Sequence, residues 1–360
     1  MDEATGVQRA AAGASRWGRP GSAGLRAVLA WALLASLVAC GPAARPAPPA
    51  EPAPAAPPLR HVTLANPAQG LAAPFFVAQD VGMFARHGLD VEVSFLTGAK
   101  AVDAVVSRRA EYALLSSRVV VDVDLAGSDL VMLAGIIPTL AYAIYGAADV
   151  GAVDDLRGKA IGVSYAGAGA DFAARQSLRR YGLESDRDYT LARTGSMAKS
   201  LTALQTGKLH AAVLSPPTTV LARKAGLREV LDIAGLGIDY IIGALACDRA
   251  FLQAEPDVNR RFLKSLLEGI HYAKTNPTAT KQIMARYLET GDEDALEEGY
   301  TSYVDRLLPR LPLVSLRSVE MVLDELSAPL PRPAGPERFV DNGPLQELDT
   351  SGFVRQVWGE

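Results

Sequence analysis

From His61 to Gly226 short apolar runs of strand length alternate with stretches of helical period, and few architectures can use that order. "HVTLA" (His61–Ala65) reads as a strand. "PFFVAQDVGMFARHG" (Pro74–Gly88) reads as one helix, with proline at its start, glycine at its end and Val77, Val81 and Phe84 on its apolar stripe. "DVEVSFL" (Asp90–Leu96), a helix over Ala99–Arg109, the strand "YALLSS" (Tyr112–Ser117) and a helix from Arg118 complete a first unit. Two apolar strands follow, Leu130–Ile137 and Leu140–Tyr145. A second unit repeats the alternation: strand Lys159–Tyr165, helix Asp171–Tyr181, strand Tyr189–Thr194, helix Ser196–Thr206, strand His210–Ser215 and helix Thr218–Gly226. Strands separated by helices pair in parallel under helical layers, so the fold class is α/β with parallel sheets.

After a further buried strand, Ile241–Asp248, the pattern turns helical. Val258, Phe262, Leu266 and Ile270 recur every four residues, and further helices are expected over Pro277–Leu288, Asp294–Leu308 and Leu316–Leu326. The order suggests a chain that crosses to a second lobe near residue 147 and returns near 241. That puts residues 60–146 and 241–360 in one lobe and 147–240 in the other.

Ahead of this globular part stands a different kind of sequence. Between Gly41 and Leu59 there are eight prolines and seven alanines. Such a tract cannot build a core; it extends as polyproline II, at roughly 3.1 Å per residue. Arg9, Arg16, Arg19 and Arg26 precede an apolar run, Ala27–Ala39, too short to span a bilayer as a helix. Residues 1–39 therefore read as an export signal, with a basic stretch long enough to suggest a true start downstream of Met1. Leu37-Val38-Ala39 leads directly into Cys40. That junction resembles the bacterial lipobox, in which the cysteine is diacylated and becomes the mature N-terminus. The alternative is a plain signal peptide with a fortuitous cysteine.

Composition excludes several function classes. A net charge of −4 offers no basic footprint for nucleic acid. Cys247, in "IIGALAC", is the only other thiol, so no internal disulfide joins the globular part, and it reads as a small buried hydrophobe. His61, His87, His210 and His271 lack ligand-type spacing, so no metal is expected. "GAGADF" (Gly167–Phe172) lacks the third glycine of a dinucleotide loop, and "GSMAKS" (Gly195–Ser200) lacks phosphate-loop spacing, so no cofactor is expected. The acidic run "GDEDALEE" (Gly291–Glu298) reads as a helix start whose carboxylates suit its dipole, not as a site.

"APFFVAQDVGMFARHGLDVEVSFLTGAKAVDAVVSRRAEYALLSS", "LRGKAIGVSYAGAGADFAARQSLRRYGL" and "ALQTGKLHAAVLSPP" resemble, in order and spacing, the solute-binding proteins of ABC importers for alkanesulfonates, taurine, nitrate and thiamine pyrimidine precursors. The resemblance spans about residues 61–275, with Arg109 standing where the family usually has glycine. It implies a type II periplasmic-binding fold, two Rossmann-like lobes on a two-strand hinge. It further implies a monomeric, exported receptor, lipid-anchored at Cys40, that closes on a small solute and delivers it to a membrane permease. The alternatives are an enzyme on the same fold, akin to the pyrimidine synthase or dehydratases, and a receptor feeding a sensor kinase. The cysteine-rich motif of the synthase is missing here.

In open α/β sheets ligands sit beyond the carboxyl ends of strands. That rule selects Asn66 and Gln69 after the first strand, Thr97 after the second, and Ser116, Ser117 and Arg118 after the third. In the second unit it selects Ser164, Tyr165 and the loop "AGAGAD", with Gly167, Ala168, Gly169 and Asp171, then Ser196, Ser215 and Thr218. Tyr240 lies at the return crossing. The resemblance assigns solute hydrogen bonds to Ser116–Ser117 and to the "AGAGAD" loop. Each has a plainer reading: the serines cap a helix, the loop is a tight turn of small residues, the tyrosines pack, and Arg118 is solvated. Hydroxyls, small loops and tyrosines suggest a compact solute, neutral or singly anionic.

Overall fold

The computed structural model describes residues 58–65, 69–96, 98–165, 168–326 and 334–360. The export signal, Cys40 and nearly all of the proline tract lie outside the described residues, as do Asn66, Thr97, Gly167 and the side chain of Gln69. Among the described residues, no helix is long and apolar enough to cross a membrane.

Among the described residues, ten strands form two five-stranded sheets. The first uses β1 (Arg60–Ala65), β2 (Leu89–Ser94), β3 (Tyr112–Leu115), β4 (Leu130–Thr139) and, much later, β10 (Asp239–Asp248), in the order β2-β1-β3-β10-β4. The second uses β5 (Ala143–Gly146), β6 (Ala160–Val163), β7 (Thr190–Arg193), β8 (Ala211–Leu214) and β9 (Arg228–Asp232), in the order β7-β6-β8-β5-β9. The two orders are the same arrangement: three strands of a βαβ progression, then a strand delivered from the other sheet, then the last strand.

The delivered strands correct the expectation of parallel sheets. β1 pairs in parallel with β2 and β3, but β10 is antiparallel to both β3 and β4. Likewise β6 is parallel to β7 and β8, while β5 is antiparallel to β8 and β9. A strand that arrives straight from the opposite lobe, with no crossover helix, must run against its neighbours. For the same reason the change of sheet comes earlier than residue 147: Ala143–Tyr145, read as a first-sheet strand, already belongs to the second. β9 was not foreseen, because "REVLD" lacks the apolar run that marks its neighbours.

Two chain segments join the sheets, and they run side by side. Leu140–Tyr142 leads from β4 to β5, and residues 233–238 lead from β9 to β10. The backbone N–H groups of Ile233 and Ala234 donate to the Tyr142 carbonyl at 3.0 and 3.2 Å, and the Thr139 hydroxyl donates to the Ile238 carbonyl at 2.9 Å. This is the two-strand hinge of a two-lobed α/β protein.

The expected helix Pro74–Gly88 is two helices, Ala73–Asp80 and Met83–Arg86, because Gly82 between them takes a left-handed φ of 73°. The long helix Pro256–Thr275 packs across the first of these. A Cβ on its Gly269 would lie 2.5 Å from the Pro74 carbonyl oxygen, so glycine is what lets the two backbones approach. Phe262 stacks on Tyr112 at 4.1 Å between ring centres and meets Phe84 at 5.1 Å, all three buried. Each such ring contributes about 2–3 kcal/mol. Beyond it come helices Pro277–Tyr287 and Glu293–Gly299, a π-helical stretch Tyr300–Leu307 and helix Leu316–Asp324; the expected single helix Asp294–Leu308 is thus two segments of different pitch. Two unforeseen helices, Gly343–Thr350 and Phe353–Trp358, close the chain against the long helix.

Candidate functional site

A cavity of about 450 Å³ lies beside the hinge, lined by the short helix Gln69–Ala72 of the first lobe and the turn after β8 of the second. Tyr142 of the hinge and Ile242 of β10 line it where the lobes join. Gly70 and Leu71 bound it from the first lobe, and Met197 and Ser215-Pro216-Pro217 from the second. The C-terminal helices supply the remaining wall through Met284, Leu288, Leu296 and Tyr303.

Two hydroxyls meet here. The Tyr303 phenol donates to the Pro216 carbonyl at 3.4 Å and is hydrogen-bonded to Ser215, whose own hydroxyl lies 3.2 Å from Met197 Sδ. Burial raises the Tyr303 pKa to about 12 and pushes that of Tyr142 well above its ordinary value. Both phenols are therefore neutral donors at any physiological pH. Tyr303 reaches the cavity from the π-helical stretch, a distortion often found where a helix serves a site.

Tyr142 also touches a second group of residues. A Cβ on Gly169 would lie 2.4 Å from the Tyr142 phenolic oxygen, so the helix Gly169–Arg179 begins against this ring. Next to it Tyr240 meets Phe172 at 4.5 Å between ring centres, the rings tilted by 33°, with its hydroxyl hydrogen-bonded to Ser116; burial lifts its pKa to about 12.

The sequence-selected residues fall into distinct places. Ser215 lines the cavity, and Gly169 and Tyr240 lie beside Tyr142. Ser116 caps the helix Ser117–Leu125 by accepting from the Val119 N–H, and Ser196 caps Met197–Gln205 by accepting from Lys199. Thr218 spends its hydroxyl on the Ser215 carbonyl at 2.6 Å. Ser117 is fully buried, its hydroxyl without a partner among the described residues. Arg118 turns back onto Asp122 of its own helix at 2.8 Å, and Asp171, buried, pairs with Arg175 at 3.1 Å. Ser164 is half-buried, Tyr165 is 62% exposed, and Ala168 stands at the N-cap of the helix that Gly169 begins. Tyr142, Met197 and Tyr303 were missed. Tyr142 sat inside an apolar run read as strand, and Tyr303 lay in a helix read only for its period. Among the described residues, no group of acids, histidines and cysteines could hold a metal ion.

Paired sheets of one topology, joined by two adjacent crossings and facing a shared cavity, define a two-lobed fold of the type II periplasmic-binding class. The chain belongs to the NMT1/THI5 like family, whose model matches residues 70–280. Among solved structures it is similar to the ligand-binding component of an ABC-type import system from Staphylococcus aureus, with a TM-score of 0.65, 14% identity, and 80% of this chain and 98% of that one covered. It is similar to the alkanesulfonate-binding protein SsuA from Xanthomonas axonopodis pv. citri bound to MOPS, with a TM-score of 0.63, 16% identity and coverage of 79% and 99%. A DSZB mutant in complex with biphenyl-2-sulfinic acid matches with a TM-score of 0.62, 16% identity and coverage of 81% and 99%. At these identities the likeness is one of fold. No curated protein matches the chain.

Proposed function

We propose that this protein is an extracytoplasmic solute receptor, which traps a small organic molecule between its lobes by hinge closure and passes it to an ABC permease. The observation that carries the reading is the cavity at the hinge, bounded by both lobes and lined by neutral hydroxyls and apolar side chains. The family and the import-system neighbours support it. What favours binding over bond-making is the chemistry of the described lining: phenols held in their neutral form, two hydroxyls engaged with Met197 Sδ and the Asp292 N–H, thioethers, aliphatics and backbone. Lipid on Cys40 and the proline tract would moor such a receptor at a membrane while letting it reach a permease, raising its effective concentration there.

The test has two parts. A thermal-shift screen over sulfonates, nitrate, pyrimidines and neutral aromatics should find a compound that raises the melting temperature. Small-angle scattering should then show the protein contracting with that compound. A ligand at a hundred times its Kd stabilises by about 2.7 kcal/mol. Binding without contraction would rule out a closing receptor. Mass spectrometry of the mature protein from a bacterial host should find Cys40 N-terminal and diacylated, and an unmodified Cys40 would exclude the anchor.

A further inference from the structure

The family match stops at residue 280, but the wall of the cavity does not. Helix Pro277–Tyr287 brings Met284 to it and ends in a left-handed residue, Glu289, at φ 49°. The Thr290 N–H then reaches back to the Ala285 carbonyl at 3.1 Å, and this C-cap turns Leu288 and Thr290 toward the cavity. Asp292 caps the next helix through the Ala295 N–H at 3.1 Å, which sets Leu296 against the same space. Thr219 and Arg223, on the second-lobe helix Thr218–Lys224, both bond Glu298, and Lys224 pairs with Asp294 at 2.7 Å. The wall is thus clamped to the opposite lobe.

Resting on the receptor reading above, we infer that this C-terminal wall makes the site select an uncharged ligand with a bulky apolar body and one polar group, which seats at the hydroxyls of Ser215 and Tyr303. Among the described residues the lining contains no lysine, arginine, histidine, aspartate or glutamate. The neighbouring guanidiniums, Arg223 and Arg306, border an adjoining cavity and are paired with Glu298 and Asp232. An oxyanion drawn into such a site would lose its water without gaining a counter-charge. The helix Met197–Gln205 does not make up for this, because it presents the Met197 side chain to the cavity while Ser196 takes its Lys199 N–H. Volume points the same way. At about 450 Å³ the cavity has room for a body well beyond the size of a small oxyanion.

A matched pair of probes separates the alternatives in the full-length protein. 2-Naphthol and 2-naphthalenesulfonate share a ring system and differ in charge. At millimolar concentration the naphthol is expected to raise the melting temperature by about 2–4 °C and the sulfonate to leave it unchanged. Thr290→Lys, at a half-buried position whose hydroxyl, among the described residues, accepts only the Asp292 N–H, should reverse the preference, with at least about tenfold tighter sulfonate binding by calorimetry. Wild-type protein that binds the sulfonate as tightly as the naphthol, that ignores the naphthol, or whose ratio Thr290→Lys leaves unchanged overturns the inference. If scattering shows contraction with nitrate or an alkanesulfonate instead, the receptor reading stands and only the selectivity is lost. If no compound of either class contracts the protein, both fall.

Discussion

Gly169 and Tyr142 meet at the point where the second lobe touches the hinge, and a single methyl group would decide the fit. With a Cβ placed 2.4 Å from the phenolic oxygen but 3.2 Å from the ring carbon bearing it, the clash is chiefly with the hydroxyl. Gly169→Ala should therefore destabilise the protein by about 1–3 kcal/mol. Tyr142→Phe in the same chain should recover part of that loss, and a double-mutant cycle on melting temperatures would measure the coupling. Additive effects would mean that the two residues do not meet. The sequence marked Gly169 as a place where backbone comes close to something, but not what. The partner is 27 positions upstream, and no local period connects them. Arg109 carries a similar lesson. The family pattern put the missing glycine there, whereas the left-handed backbone, φ 57°, falls on Arg108.

At the scale of elements, the α/β alternation was legible because each βαβ unit writes its own period. The antiparallel strands were not, since strand direction is settled by which lobe the chain comes from. The C-terminal elements were only half legible, as helices without an address. One of their anchors is a buried ion pair. Arg338, in the short helix Pro336–Phe339, donates to Asp124, whose side chain is fully buried in the helix Ser117–Leu125. Burial outweighs the guanidinium and leaves the Asp124 pKa above its ordinary value. A raised carboxyl pKa means that the folded state favours the proton. That contribution is complete below about pH 4 and fades as pH climbs through the raised value. Arg338→Met, which strands the charge, should cost about 2–3 kcal/mol at pH 7, with solvent at the arginine moderating the usual penalty. The cost should shrink as pH is lowered toward 4. Denaturant titrations at pH 7 and pH 4 giving one and the same difference would contradict this account.

The whole molecule is held across its cleft on two flanks. On one, Arg223, Lys224 and Asp232 of the second lobe pair with Glu298, Asp294 and Arg306 of the C-terminal region. On the other, Gln176 and Arg179 bond Glu325 beyond the helix Leu316–Asp324. Exposed ion pairs contribute only about 0.2–1 kcal/mol each and are weakened by salt. As a set they bias the hinge toward closure without locking it. Half-molar sodium chloride, or Glu298→Gln with Glu325→Gln, should enlarge the radius of gyration of the ligand-free protein while shifting its melting temperature little. An unchanged radius would mean that packing, not charge, keeps the lobes together.

One wall of the chamber comes from residues beyond the stretch that the family model matches. A chain trimmed at residue 280 would retain the sequence of both sheets and the paired crossings but not Val304, Leu308, Val319, Val322 and Phe339, which belong to their cores. It would lose Met284, Leu296 and Tyr303, leaving a bowl where the intact protein has a box. Whatever guest such a fragment accepted would be chosen by the bowl's rim. Its preferences would be a poor guide to those of the complete chain.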